Sequence, residues 1–437
     1  MPTRPPSATT LPAEASASVL HGLNSAQRAA AAHGSGPLLI VAGAGTGKTA
    51  TLAHRVAHLV AEGTPPGRIL LLTFTRRAAE EMLRRVDGLL RSAAGTGDLP
   101  TALSGARVWG GTFHAVATRL LRIHGESIGL PPGFTILDRS DSEDLMHAVR
   151  TSLDLGATGK RFPQKATCLD IYSRCVNAAE PLEHVLGTRY PWCKDEAEGL
   201  KRLFAAYVDR KEAGHVLDYD DLLLFWRGML ADPGLGEVVR GHFDAVLVDE
   251  YQDTNALQAD IVALLRPDGT GITAVGDDAQ AIYGFRAATV RNILDFPTRF
   301  TGATVLTLEQ NYRSTAPILS ATNAIIAEAA ERYDKALWTE REGGSAPALV
   351  TCRDEREQTD YVIERILGHR EEGTPLKEQA VLFRAMHHSM DLELELQRRN
   401  IPFVKYGGLK FVEMAHVKDF VAYLRLAENP ADEVAAL

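Results

Sequence analysis

The chain has 437 residues, 45% hydrophobic and 24% charged, with a formal net charge of −9. This is the composition of an ordinary globular protein long enough for about three domains; its acidity argues against a basic protein that coats a polyanion, but leaves room for a local positive groove. No apolar run reaches membrane-spanning length, no secretory leader is visible, and the four cysteines are too few and too scattered for a disulfide frame or a zinc site. A cytoplasmic protein with reduced cysteines and no membrane partner is expected.

Residues 1–21, rich in Pro, Ala, Ser and Thr, read as a flexible tail. The run Leu38–Val41 is uniformly apolar, as in a parallel strand buried on both faces, and leads into the loop Ala42, Gly43, Ala44, Gly45, Thr46, Gly47. Its glycines let the backbone turn tightly and aim N–H groups at phosphate oxygens, and Leu52, Val56, Leu59 and Val60 mark the helix that follows. Lys48 is placed to reach the β- and γ-phosphates, and Thr49 to offer its hydroxyl to Mg²⁺. The pattern predicts nucleoside triphosphate binding and is silent on what the energy drives.

A third stretch, "LLLTFTRRAAEEM", predicts a strand running into Thr73, Phe74, Thr75 and Arg76, and "GGTFHA" repeats that chemistry with Thr112, Phe113 and His114. Hydroxyls, aromatics and cations at strand ends suit phosphate and base contacts; core aromatics and a solvated helix face are the alternative readings. Residues 115–215 read as helical, with apolar stripes at Leu145, Met146, Val149, Leu153 and at Leu200, Leu203, Phe204, Tyr207, Val208. In "LDYDDLLL" the acids read as helix capping in preference to a metal site.

"AVLVDEYQD" again predicts a buried strand, ending in Asp249, suited to Mg²⁺, and Glu250, suited to orienting water. About 200 residues separate Lys48 from Asp249, more than a compact domain of roughly 100–150, so an inserted domain is expected between two neighbouring strands. "ITAVGDDAQAIYGFR" adds a further strand, then Gln280, Tyr283, Phe285 and Arg286, an aromatic and cationic platform for single strands.

In this order the motifs resemble the superfamily 1 DNA helicases of the UvrD, Rep and PcrA type, from "LNSAQ" at Leu23 almost to the last residue. The resemblance implies that Gln27 reads adenine, that Lys48, Thr49, Asp249 and Glu250 form the hydrolytic set, and that Gln280 couples the γ-phosphate to the DNA groove. It also implies, in "LEQNYRS", that Tyr312 stacks on adenine and Arg313 reaches the γ-phosphate from a second motor domain. Thr73, Phe74, Thr75, Arg76, Thr112, Phe113, His114, Tyr283, Phe285 and Arg286 fall on the implied path of single-stranded DNA. Phe285 stands where relatives often have Trp, and Ala287 where they have Gly.

The expected fold is therefore α/β: a RecA-like P-loop NTPase with a parallel sheet, a helical insertion and an incomplete second RecA-like domain. Residues 22–114 and 216–308 are assigned to the first motor domain, 115–215 to the insertion and 309–437 to part of the second, where "DLELELQ" favours helix and His387–His388 a helix end. The expected activity is ATP- and Mg²⁺-dependent 3′-to-5′ movement on single-stranded DNA and at duplex junctions, with a missing C-terminal half or other repair proteins as partners. The alternative is a truncated nucleotide- and DNA-binding module with no motor activity of its own.

Overall fold

The computed structural model describes residues 15–94, 103–156, 162–406 and 415–429. Among these are eight strands: β1 (Leu38–Ala42), β2 (Ile69–Leu72), β3 (Trp109–Gly111), β4 (Thr135–Ile136), β5 (Val216–Leu217), β6 (Ala245–Val248), β7 (Ile272–Gly276) and β8 (Thr304–Leu308). β4 and β5 pair only with each other. The other six form one sheet in the order β3-β2-β6-β7-β1-β8, every neighbouring pair parallel. The loops after β1, β2, β3, β6 and β7 consequently leave the sheet at its carboxyl edge, where open parallel sheets hold ligands.

Burial explains the uninterrupted apolar runs. Leu38, Ile40 and Ala42 pack with Leu52, Val56, Ile69 and Leu71 on one face, while Leu39 and Val41 pack with Leu70, Leu72, Val246 and Trp226 on the other. Each such aliphatic side chain contributes about 1.5–3 kcal/mol on burial, so a polar residue at any of them would be costly. β1 extends one residue beyond the expected run and takes in Ala42.

The helices around the sheet include α1 (Ala15–Ser18), α2 (Ser25–Ala31), α3 (Lys48–Ala61), α4 (Arg76–Ala93) and α5 (Phe113–His124). α1 falls inside the segment expected to be a flexible tail. Ala15 and Val19, four residues apart, are buried in the cluster that contains Leu52 and Val86, which is why residues 15–21 are ordered; residues 1–14 lie outside those described. Between β4 and β5 come α6 (Arg139–Ser152), α7 (Lys165–Ala178), α8 (Leu182–Thr188) and α9 (Ala197–Ala213), around a core of their own. Leu145, Met146, Val149, Leu200, Leu203 and Tyr207 all lie in it, as their spacing predicts.

The acids of "LDYDDLLL" open α10 (Tyr219–Ala231), where Asp218 and Asp221 form a reciprocal capping box. Lys211 of α9 bonds both carboxylates at 2.7 and 2.6 Å, and Asp220 accepts from Asn177 at 2.6 Å. Asp218 and Asp221 thus serve capping and ion pairing, and Asp220 a hydrogen bond to a neighbouring helix.

Residues 1–344 with 422–437 form one compact unit, and residues 345–421 a second. Described residues of the second include the helices Glu355–Glu371 and Met390–Arg398, joined through Ile363, Leu392, Leu396 and Ile401. "DLELELQ" is helical, and His387–His388 lie in the 3-10 turn Met386–Ser389 before it. No strand occurs among the described residues of this unit. No helix among the described residues is long and apolar enough to cross a membrane.

Candidate functional site

β1 delivers the loop Gly43–Gly47 to the amino end of α3, whose first residues are Lys48 and Thr49. Gly45 and Gly47 adopt left-handed backbone (φ 78° and 86°), which a side chain would strain. Space is equally short: a Cβ on Gly45 would lie 2.8 Å from Arg313 Cβ and from Asn311 Nδ2, and one on Gly47 2.7 Å from Gln27 Nε2.

Lys48 Nζ lies 2.9 Å from Glu250 Oε2 and is almost buried. Glu250 follows Asp249 at the end of β6 and has a left-handed backbone (φ 50°), unusual for a residue with a side chain. Burial, then the neighbouring Glu250 charge, pushes the Asp249 carboxyl up to about 7, with Lys48 opposing. A buried carboxylate and the hydroxyl of a residue in the first turn of α3 are hard-oxygen donors, the type that suits Mg²⁺, so the chemistry of Asp249 and Thr49 fits that ion. Among the described residues no three His, Cys, Asp or Glu side chains gather as a protein-only metal cage, and a Mg²⁺ that shares phosphate oxygens needs none.

Gln27 lies beside the loop. Its side chain completes the capping box of α2 with Asn24, and its Nε2 donates to Thr46 O at 2.9 Å. Asn24 Nδ2 donates to the Tyr312 hydroxyl at 2.9 Å, which fixes the tip of that exposed ring. Tyr312 N–H donates to Gly45 O at 2.9 Å. The buried Asn311 amide donates to Ala44 O and accepts from the N–H groups of Arg313 and Ser314 at 2.8 and 2.7 Å. The segment carrying Tyr312 and Arg313 is thereby bonded to the glycine loop itself. The Arg313 guanidinium is exposed and makes no hydrogen bond or ion pair among the described residues.

After β7, Gln280 Nε2 donates to Asp277 Oδ2 at 2.6 Å. Beyond it the rings of Phe74 and Tyr283 lie 4.7 Å apart, those of Tyr283 and Phe285 5.7 Å, and the Arg286 guanidinium 5.6 and 5.5 Å from the latter two. Phe285 is 69% exposed, so a stacking face is open to solvent. Thr75 and Thr112 cap α4 and α5, accepting from Ala78 N–H and Ala115 N–H, and Arg76 is exposed at the start of α4. His114 packs edge-on to Tyr219 at 5.7 Å, and burial lowers its pKa to about 4.

Two expected contacts do not join this surface. Phe113 is 5% exposed and packs in the core 6.1 Å from the Trp226 ring, because α5 places it on one face with Val116, Ala117 and Leu120. Thr73 is buried too, its hydroxyl donating to Thr75 O at 2.9 Å. Gln252, Asn311 and Lys335 join the site without a role expected from the sequence. Gln252 and Asn311 stand inside quoted motifs; Lys335, ion-paired with Asp277 at 2.9 Å and with Asp278, gives no local signal, because its partners lie far back in the chain.

The strands that carry the glycine loop and the acid pair, expected to be neighbours, are separated by β7, and Lys48 spans the gap to Glu250 with its long side chain. A six-stranded parallel sheet with a glycine loop at the carboxyl edge and an acid pair two strands away defines a RecA-like P-loop fold. The family model of the UvrD/REP helicase N-terminal domain matches residues 23–301, and that of the UvrD-like helicase C-terminal domain residues 306–437. The chain belongs to the UvrD/REP helicase family. It is 39% identical over 428 residues to ATP-dependent DNA helicase UvrD1 of Mycobacterium tuberculosis, covering 95% of this chain and 54% of that one. It is 36% identical over 422 residues to DNA helicase II of Escherichia coli (95% and 56%) and 34% identical over 422 residues to ATP-dependent DNA helicase PcrA of Staphylococcus epidermidis (95% and 55%). The chain spans about half the length of the curated relatives it matches.

Proposed function

We propose that the chain is the motor portion of an ATP-dependent DNA helicase or translocase, moving 3′ to 5′ on single-stranded DNA in the cytoplasm, in repair or replication. One observation carries the reading: Lys48 and Glu250 meet at 2.9 Å above the same glycine loop to which the Arg313 segment is hydrogen-bonded. The relatives' names agree with it.

In this reading the loop amides and Lys48 hold the β- and γ-phosphates, and Lys48 exchanges Glu250 for phosphate oxygens. Glu250, released from the ammonium, orients water. Arg313 meets developing charge at the γ-phosphate, Gln27 the adenine edge, and Tyr312 the adenine face. Thr49 and Asp249 would hold Mg²⁺, which supplies charge compensation when bound. Phe74, Tyr283, Phe285 and Arg286 stack and hold single-stranded bases. Residues 22–114 and 216–308, which contain all six strands of the sheet, form the first motor domain; 115–215 form the insertion and 309–437 belong to the second. Duplex junctions and other repair proteins are the partners such a motor requires.

The test is ATP hydrolysis by this chain with and without an oligothymidine strand. Stimulation by the strand is expected, and its removal by Lys48→Ala, with a loss of about 10²–10³ in rate. Turnover unaffected by Lys48→Ala would overturn the reading. Binding of both ligands without turnover would reduce the chain to a nucleotide- and DNA-binding module.

A further inference from the structure

We propose that Gln252 is a positioning residue that joins the water-orienting Glu250 to the strand-binding loop after β7, so that nucleotide and single-stranded DNA sense one another through its side-chain amide. The inference rests on the proposed function and names a residue that reading leaves without a role.

Gln252 sits in the 3-10 turn Tyr251–Asp253 that follows the acid pair and is 1% exposed. Its Oε1 accepts from Asp277 N–H at 3.0 Å; its Nε2 donates to Glu250 Oε2 at 2.9 Å and, at greater length, to Asp253 Oδ2 at 3.3 Å. A Cβ on Gly276 would come within 2.6 Å of Gln252 Oε1 and 2.8 Å of Ile293 Cδ1, so the amide is wedged against the last residue of β7. On the far side, Asp277 accepts from Gln280 Nε2 at 2.6 Å and pairs with Lys335 at 2.9 Å. Tyr283, Phe285 and Arg286 follow along the same loop.

The position calls for an amide. One end must accept an N–H and the other must donate to a carboxylate; a carboxylate side chain fails at the second contact and a hydrocarbon at both. Glu250 Oε2 has two donors, Lys48 and Gln252. Phosphate oxygens compete for the first and leave the second in place. Gln252 then fixes the carboxylate against the strained left-handed backbone of Glu250 and ties its position to that of Asp277. A shift of the β7 loop caused by DNA therefore reaches Glu250 through two hydrogen bonds.

The experiment uses the full chain and two substitutions. Gln252→Glu keeps volume and acceptor but sets an anion against Glu250; Gln252→Met keeps volume alone. Affinity for an oligothymidine strand is measured with and without a non-hydrolysable ATP analogue at fixed salt, together with affinity for the analogue alone, melting temperature and ATP turnover. In the parent the analogue is expected to change strand affinity at least about fivefold, within the usual range of coupling between sites. Both variants should bring that ratio below about twofold, with each separate affinity held within about threefold, since neither ligand touches the amide. DNA-stimulated kcat should fall by about tenfold or more at unchanged KM, the pattern of lost transition-state stabilisation without lost substrate binding. Variants that keep the parent's coupling ratio overturn the inference. So do variants that lose both affinities and melt early, because Gln252 would then be a strut between two strands. A parent that binds both ligands without coupling them sinks this inference alone; one that binds neither removes the proposed function first.

Discussion

The Lys48 ammonium and the Glu250 carboxylate are bonded to each other at 2.9 Å, so the group suited to phosphate and the group suited to water neutralise one another. Phosphate oxygens must break that pair. Glu250→Gln should therefore separate binding from turnover: hydrolysis falls by about 10²–10⁴, the usual contribution of a positioned general base, while nucleotide affinity is unchanged or higher because Lys48 loses a charged competitor. Fluorescent-nucleotide titration with single-turnover hydrolysis checks both. A variant that loses affinity would mean that Glu250 holds the site together instead.

Phe285 and Phe113, both expected on the path of single-stranded DNA, should behave as opposites. Phe285 is open and Phe113 is in the core. Phe285→Ala and Tyr283→Ala should weaken binding to single strands by about 1–3 kcal/mol each, the measured worth of a base stacked on an aromatic ring, and leave the melting temperature nearly unchanged. Phe113→Ala should instead cost about 3–5 kcal/mol of stability through the cavity it leaves against Trp226. Arg286→Ala should also flatten the salt dependence of strand binding by about one counterion, which a plot of affinity against salt reads directly.

His114 gives a pH dependence with a definite sign. Burial lowers its pKa from 6.5 to about 4, so the folded chain holds it neutral where the unfolded chain protonates it. Its contribution is present above pH 6.5 and is lost as pH falls toward 4, at no more than about 1.4 kcal/mol per pH unit and less for a ring that keeps some solvent contact. His33, His58, His124 and His242 are lowered as well, with burial the largest cause for each, and add in the same direction. The raised carboxyls of Asp249, Asp253, Asp220 and Asp221 act with the opposite sign over the same range, so the His114 contribution is read as a difference: in urea melts between pH 5 and 7.5, His114→Gln should make the slope of stability against pH less positive than in the parent. Neutral His114 also adds nothing to the salt dependence of DNA binding.

What was legible in the sequence follows from the range of the interactions. Strands buried on both faces read as unbroken apolar runs, so β1, β2, β6 and β7 could be found without a structure, and a glycine loop before Lys48 signals phosphate by its own residues. Phe113 was misread although its helix phase, with Val116, Ala117 and Leu120, was present in the sequence; a ring after a strand end looks the same whether it faces in or out. The ordering of residues 15–21 was hidden because Ala15 and Val19 gain burial only from α3 and α4, which come later in the chain. Lys335 and Asn311 were illegible for a related reason. Their partners, Asp277, Asp278 and Ala44, come from other strand ends, and only the parallel sheet brings those ends to one edge.

Ala287 sets a stability question of its own. It ends the 3-10 turn Gly284–Arg286 with φ 63°, buried, in a conformation that costs a residue bearing Cβ about 1–2 kcal/mol. Ala287→Gly removes that strain but gives the unfolded chain more freedom, worth about 0.5–1 kcal/mol in the other direction. A net gain of up to about 1 kcal/mol is expected, with strand affinity unchanged, because Phe285 and Arg286 keep their positions. Equal or lower stability would show that the turn is held without strain.

Arg55 is a buried cation with no carboxylate paired to it among the described residues. Its Nε donates to Thr273 Oγ1 at 2.9 Å, Nη1 to Ala31 O at 3.2 Å and to His33 O, and Nη2 to Gly34 O at 2.9 Å. Burial lowers its pKa to about 10, which leaves it charged at neutral pH. Four acceptors on two separate segments are reached by one planar fork, and the effect is to fix α3, which carries Lys48, against the end of α2, which carries Gln27. Arg55→Leu strands those acceptors and should cost about 2–4 kcal/mol, since hydrogen bonds to charged groups are worth about 1.5–3 kcal/mol and a buried acceptor left alone about 1–3. Arg55→Lys supplies charge without the fork and should recover less than half of the loss. Denaturant melts of the three proteins decide it; a lysine variant as stable as the parent would mean that charge alone, and not the geometry of the guanidinium, holds the two helices together.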